Sequence, residues 1–418
     1  MHQLNAAIAI AGFVVVLAAL VSERVESLPL SQPLFALCVG IVAGPDMLHW
    51  LRPEEWPHAH VILKEAARLA IAISVFGIAL RTPKTDYRRL LRPWALLLTL
   101  GMLVMWLTSA GLAWALLGLS PIVALLLGAI ITPTDPVVAS SIVTGPLAER
   151  NLPDRLRATL SLESGANDGL GYLIVLFPIL LIERASASAV FAQWLVDVLL
   201  VGVVLAIIVG AVIGYLVARA LHHAERIGWI EKNSLLGLSV ALSLAVVTVA
   251  KLLGSDGILA AFAAGAAFNF GVDRAEEFEE QRVQETIGKL FNLPVFMIFG
   301  AMLPWTAWLA LGWKGVAFAV AILLLRRPLA LLAAGRFLGA GLTPRDAVFL
   351  GWFGPIGVAA IYYALLADER IHDPLHWHVA SLVIVASIVA HGITSGPGLS
   401  LYGHAGPRHG DTREKTTQ

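Results

Sequence analysis

Ile131-Thr132-Pro133-Thr134-Asp135-Pro136 is a polar stretch inside an apolar run, and its reading decides the fold. Pro133 cannot donate to the carbonyl of Ala129, and Pro136 cannot donate to that of Thr132. Thr132 and Asp135 each precede a proline and are pushed toward extended backbone. The spacing therefore predicts a helix that breaks at mid-membrane. Beyond the break Asp135 suits an N-cap and Pro136 the first helical position, so a second half-helix should follow. Broken helices persist in a bilayer only where they line a cavity or are buried in protein. Freed carbonyls and half-helix ends at such a break are natural cation ligands. A proline kink with a self-capping Asp135 needs the same residues, and this stretch alone leaves both readings open.

The surroundings make the membrane setting firm. The 418 residues are 58% hydrophobic and only 14% charged, with a mean hydropathy of +0.79. A soluble domain carries roughly 25% charged residues. Formal net charge is zero, which gives no basic face for nucleic acid. The single cysteine, Cys38, excludes an intrachain disulfide.

Thirteen apolar segments are expected to span: roughly 4–21, 30–47, 62–80, 93–117, 121–144, 157–182, 190–221, 233–252, 256–270, 284–303, 313–338, 344–367 and 377–397. They are too long, and alternate too little, for barrel strands. No Lys or Arg precedes the first segment and no A-x-A site follows it, so it reads as a span and not a signal peptide.

Basic residues fall on alternate loops. Arg81, Lys84, Arg88, Arg89 and Arg92 follow the third span; Arg150, Arg155 and Arg157 the fifth; Arg219, Arg226 and Lys232 the seventh; Arg274, Arg282 and Lys289 the ninth. The other side has few: none between the fourth and fifth spans, and single residues after the sixth, tenth and twelfth, Arg184, Lys314 and Arg370. The expected topology has an outside N-terminus and a cytoplasmic C-terminus. Asp273–Arg282 reads as a solvated helix start, and 406–418 as a short disordered tail.

The second polar stretch, Glu163-Ser164-Gly165-Ala166-Asn167-Asp168-Gly169, lies in the sixth span. Glu163 and Asn167 are four apart, as are Ser164 and Asp168, so the four lie on adjoining stripes of one face. Gly165 and Gly169 let a neighbouring backbone come close. Carboxylates at this depth cost roughly 2.5 kcal/mol or more, which points to use. Hard oxygen donors gathered at the break of the fifth span suit Na⁺ or another alkali or alkaline-earth ion.

The other half repeats the plan. Arg326-Arg327-Pro328 interrupts the eleventh span, and Gly351-Trp352-Phe353-Gly354-Pro355-Ile356-Gly357 breaks the twelfth. Two broken helices, each central to a three-span group, mark an all-α inverted-repeat transporter with crossed broken helices. An intramembrane arginine needs a partner, and Glu163 is the best carboxylate for Arg327.

At these residues the chain resembles the monovalent cation:proton antiporters, in their NhaP-type and eukaryotic sodium/proton exchanger branch. The resemblance covers nearly the whole chain and rests on Thr134-Asp135-Pro136 and on E-S-x-x-N-D at Glu163, Ser164, Asn167 and Asp168. It implies a Na⁺ (or Li⁺)/H⁺ antiporter, no enzyme and no cofactor, in which Asp168 is the exchanging carboxylate. Asp135, Ser164 and the Thr134 main chain would be cation ligands. Asn167 and Glu163 would support the site, and Arg327 would pair with Glu163. It also implies a homodimer in a bacterial inner membrane. In that picture a moving core, about 93–182 and 313–397, slides against scaffold helices, about 4–80 and 190–303, within one domain of 1–405. Asparagine before the aspartate resembles electroneutral exchangers. One departure stands out: many members carry Lys or Arg within the glycine motif of the twelfth span, where this chain has Ile356.

K⁺/H⁺ exchange by the same machinery is the alternative. An intramembrane aspartyl protease needs Y-D and G-x-G-D contexts, and neither occurs. A cation channel lacks a repeated filter sequence. His391 reads as a hydrogen-bonded packing residue rather than a proton relay. Zinc at His372, His376 and His378 is a minor reading.

Overall fold

A backbone in hydrocarbon must satisfy its own hydrogen bonds, and this chain does so with helices. The computed structural model describes residues 9–10, 12–17, 31–184, 186–229, 237–272, 274–335 and 343–404, without the side chains of Ser141, Ala187 and residues 274–287. No strand occurs among them. Of the expected first span, 9–10 and 12–17 are described and helical. The tail, Lys232 and the side chains of the charged segment 273–282 lie outside the described residues.

In chain order the helices are α1 Gln32–Ala43, α2 Ala59–Arg81, α3 Lys84–Leu117, α4 Pro121–Ile130, α5 Ser140–Val143, α6 Pro146–Asn151, α7 Asp154–Glu183 and α8 Ser188–Arg226. Then follow α9 Leu238–Leu252, α10 Gly257–Gly271, α11 Arg274–Ala301, α12 Trp305–Gly335, α13 Pro344–Trp352, α14 Val358–Ile371 and α15 Leu375–His404. Five of these, α3, α7, α8, α12 and α15, are long and apolar enough to cross a membrane unaided. Three shorter helices start with ordinary capping chemistry. Ser31 accepts from the Leu34 N–H at α1, and Asp256 from the Leu259 N–H at α10. Thr343 and Asp346 form a reciprocal capping box at α13.

The basic stretch after the third span is not a loop. Lys84–Leu96 is helical and continues into the span, with Leu90 buried and Arg88, Arg89 and Arg92 exposed. An amphipathic turn with many arginines has the hydropathy of a loop, which is why composition alone misplaces it. A separate short helix, 305–311, precedes the eleventh span and joins it at Gly312 with φ 57° and ψ −148°. Only glycine adopts that conformation freely.

The spans sort by packing. Helices α1, α2, α8, α9, α10 and α11 pack on one another, as do α3, α4, α7, α12, α13, α14 and α15. Contact between the two groups runs mainly through α7 and α14 against α2, α8 and α10. The glycine face expected on α7 lies there. A Cβ at Gly169 would sit 2.8 Å from the Leu259 backbone of α10, and one at Gly165 3.0 Å from the Phe262 ring. In the second group the fifth and twelfth spans are both interrupted, at 131–139 between α4 and α5 and at Phe353–Gly357 between α13 and α14.

Candidate ion-binding site

The two interruptions lie against each other. The Asp135 N–H donates to the Pro355 carbonyl at 2.8 Å, and the Val358 N–H at the start of α14 donates to Asp135 Oδ2. Asp135 also caps its own half-helix: Oδ1 accepts from the N–H groups of Val137 at 2.6 Å and Val138 at 3.0 Å. Its carboxylate thus takes three backbone donors from two half-helix starts, where partial positive charge gathers. This proximity requires Gly357, because a Cβ there would lie 2.2 Å from Asp135 Oδ2.

Helix α7 closes the site from the other side. Asn167 holds Thr134 twice: its Oδ1 accepts from the Thr134 N–H at 3.1 Å, and its Nδ2 donates to Thr134 Oγ1 at 2.6 Å. Ser164 Oγ lies 3.1 Å from Thr134 Oγ1. Asp168 is 1% exposed, and its Oδ1 has no hydrogen-bond partner among the described residues. Asp135 is the charged group that acts on it. The Tyr363 hydroxyl of α14 donates to the Asp168 main-chain carbonyl at 2.6 Å and pins that turn of α7. Thr134, Asp135, Glu163, Ser164, Asn167 and Asp168 are each 2% exposed or less, so the site is occluded from both sides.

Arg327 of α12 donates to both Glu163 oxygens, Nη1 to Oε1 at 2.8 Å and Nη2 to Oε2 at 2.5 Å, while its Nε donates to the Leu350 carbonyl. Paired, hydrogen-bonded and buried, the two charges join α7 to α12.

Arg326 has a role that the sequence reading left unassigned. Its Nη1 donates to the carbonyls of Ile131 at 2.6 Å and Thr132 at 2.8 Å, and its Nη2 to Gly354 at 2.6 Å. These carbonyls stand at the C-terminal ends of α4 and α13, where partial negative charge gathers. One buried guanidinium thus closes both broken ends. Arg326 also lines a small cavity with Arg327 and Ile356, so it occupies the region where the glycine motif of the twelfth span lacks a cation. The signal available in sequence was two adjacent arginines, of which only Arg327 was given a partner.

The outer histidines do not gather. Among the described residues no group of three or more His, Cys, Asp or Glu side chains is placed to hold a metal. His376 is buried with both ring nitrogens unpartnered.

Comparison with known proteins bears on the family and the fold. Residues 12–400 match the family model described as sodium/hydrogen exchanger, transmembrane. A probable Na⁺/H⁺ antiporter of Schizosaccharomyces pombe is 31% identical over 396 residues, covering 88% of this chain and 52% of that protein. A K⁺/H⁺ antiporter NhaP of Alkalimonas amylolytica is 28% identical, covering 95% of this chain and 67% of that protein. The sodium proton antiporter MjNhaP1 of Methanocaldococcus jannaschii superimposes with a TM-score of 0.76 at 20% identity, covering 96% of this chain and 99% of that one. The chain spans about half the length of the S. pombe antiporter and of a Zygosaccharomyces rouxii relative, of which it covers 49%. A multi-pass bundle, two crossed broken helices and a match along almost its whole length place the chain in the family of transmembrane sodium/hydrogen exchangers.

Proposed function

We propose that this chain exchanges Na⁺ or Li⁺ for H⁺ by alternating access, with cation and proton competing for Asp168 and Asp135. The observation that carries the reading is the unpartnered Asp168 Oδ1, buried beside a second carboxylate. A buried carboxylate oxygen without a donor is costly and is relieved by a proton or by a cation. Asp135, by contrast, is held by three backbone donors, which suits a ligand fixed in position. Ser164 Oγ and the Thr134 main chain complete the oxygen set. Asn167 orients Thr134, and Glu163 with Arg327 holds α7 at its depth. One cation against one proton moves no net charge, so the exchange is electroneutral.

The division of the helices into two packing groups supports a moving core, 93–182 and 313–397, that slides on a scaffold, 4–80 and 190–303, and two such scaffolds would form the homodimer. Alternation of the basic loops supports a cytoplasmic C-terminus, and a bacterial inner membrane is the expected setting. The K⁺/H⁺ reading has one specific support, the similarity to a relative named as a K⁺/H⁺ antiporter.

Proteoliposomes loaded with a pH dye test the proposal. Adding Na⁺ or Li⁺ should release protons with a bell-shaped dependence on pH: protons outcompete the cation in acid and become scarce in alkali. Release by K⁺ alone would favour the alternative. No cation-dependent release under any of the three would reject exchange.

A further inference from the structure

The break between α13 and α14 removes the bond from the Ile356 N–H to the Trp352 carbonyl, the four-residue contact that a continuous helix would make. Two side chains of α15 stand in its place. The Ile356 N–H donates to Ser387 Oγ at 2.7 Å. Ser387 Oγ lies 3.2 Å from His391 Nδ1, and His391 Nε2 lies 2.9 Å from the Trp352 carbonyl oxygen. The carbonyl can only accept, so Nε2 carries a proton. The two freed groups of the break are therefore each bound to α15, the Ile356 amide by the Ser387 hydroxyl and the Trp352 carbonyl by His391 Nε2–H. The Ser387 carbonyl, 2.8 Å from Nδ1, is a second neighbour of that nitrogen. His391 and Ser387 are 3% and 0% exposed, so water does not replace them.

We propose that Ser387 and His391 form a splint across this break, and that His391 is a positioning residue for exchange, acting through Val358 on Asp135. The splint holds Ile356 and Trp352 apart by the width of two side chains. Without it the amide and the carbonyl both lose their partners, while Pro355 still keeps the segment from winding into a helix, so the segment loosens. Loosening releases the Val358 N–H from Asp135 Oδ2 and the Pro355 carbonyl from the Asp135 N–H. The charged groups acting on the ring are Arg326 and Arg327 of α12. Arg326 grips the Gly354 carbonyl in the same segment, and its hydrogen bonds go to the Ile131, Thr132 and Gly354 carbonyls rather than to the Ile356 amide or the Trp352 carbonyl. The consequence for transport rests on the ion-site reading above; the splint itself does not.

The test uses the full-length protein in detergent and in proteoliposomes. Hydrogen–deuterium exchange should show the 353–358 amides of His391→Leu exchanging about tenfold faster than wild type, the effect of losing a bond of ordinary net strength. The half-saturating Na⁺ concentration for proton release should rise by about tenfold, with a smaller change in maximal rate. His391→Gln keeps a donor for the Trp352 carbonyl and should bring both readouts back toward wild type. If His391→Leu does not fold, Ser387→Ala tests the other half of the splint by the same two readouts. A lowered melting temperature with unchanged 353–358 exchange and unchanged half-saturation would mean a packing role and overturn the proposal. A wild type that moves no protons with any alkali cation would defeat the exchange reading, and amide exchange would still decide the splint.

Discussion

Arg327 and Glu163 meet as a two-bond fork, 2.8 and 2.5 Å, that ties α12 to α7 within a setting almost free of water. Breaking such a pair leaves an unpaired buried charge, at a cost of about 3–5 kcal/mol. Glu163→Gln and Arg327→Leu should each lower the melting temperature of the purified protein. The double change should recover part of the loss, since neither charge is then stranded. Strictly additive losses would show that the two do not act as a pair.

Asp168→Asn should abolish Na⁺-induced proton release from detergent-solubilised protein while leaving its melting temperature close to wild type. The amide is neutral, so it neither binds a competing proton nor attracts the cation. Asp168→Glu keeps the charge and shifts its position, and it should retain a fraction of the rate. Wild-type proton release from the asparagine variant would remove Asp168 from the exchange mechanism.

Gly357→Ala tests the contact between the broken helices. Alanine there brings a methyl 2.2 Å from Asp135 Oδ2. That carboxylate cannot retreat without losing its backbone donors. Displacing a positioned group by about 1 Å can cost about 10²-fold in rate, and exchange should fall on that scale. Gly111→Ala in α3, where a Cβ meets nothing within 4 Å, is the matched control and should exchange normally.

Ile356→Arg would add a third guanidinium to the space that Arg326 and Arg327 already line. Neither Glu163, already held by Arg327, nor Asp135, held by backbone donors, is free to pair with it, so the change should cost about 3–5 kcal/mol and depress the melting temperature. Arg326→Ile combined with Ile356→Arg should recover stability, since one cation again serves the carbonyl ends. A single Ile356→Arg variant as stable as wild type would mean that the cavity admits water.

At the far end of α2, His60 Nδ1 lies 3.0 Å from Asp368 Oδ2, and Lys64 pairs with Glu369, both carboxylates belonging to α14. If α14 moves against α2 during exchange, these contacts must open once in each cycle. His60→Cys with Asp368→Cys, in a chain with Cys38 replaced, should lose exchange on oxidation and regain it on reduction. Full activity in the cross-linked form would exclude sliding between these two helices.

The parts of the site that were legible in sequence are those written in side-chain chemistry. Pro133, Pro136 and Pro355 announce where helices must stop, and Glu163 was the best carboxylate available to Arg327. What stayed hidden is written in backbone groups. The partners of Arg326 are three carbonyls, and the partners of Asp135 are three amides, which every residue carries and no composition marks. His391 was read as a packing histidine because its partners, Ser387 and the Trp352 carbonyl, come together only once the twelfth span has opened. The helical start of α3 was missed for a different reason: hydropathy cannot tell an arginine-rich amphipathic turn from a loop.

The second arginine also bears on the membrane potential. Arg326 and Arg327 are two buried cations facing three buried carboxylates, Asp135, Glu163 and Asp168. With all five ionised and nothing bound, the group carries one negative charge. One Na⁺ or one proton brings it to zero. An elementary charge carried through 100 mV is worth about 2.3 kcal/mol, so the loaded and protonated forms cross without electrical work, whereas the empty form meets the field and the low dielectric together. Under the exchange proposed above, Arg326 would give the carrier a reason to move only when occupied, and a turnover rate that does not follow voltage.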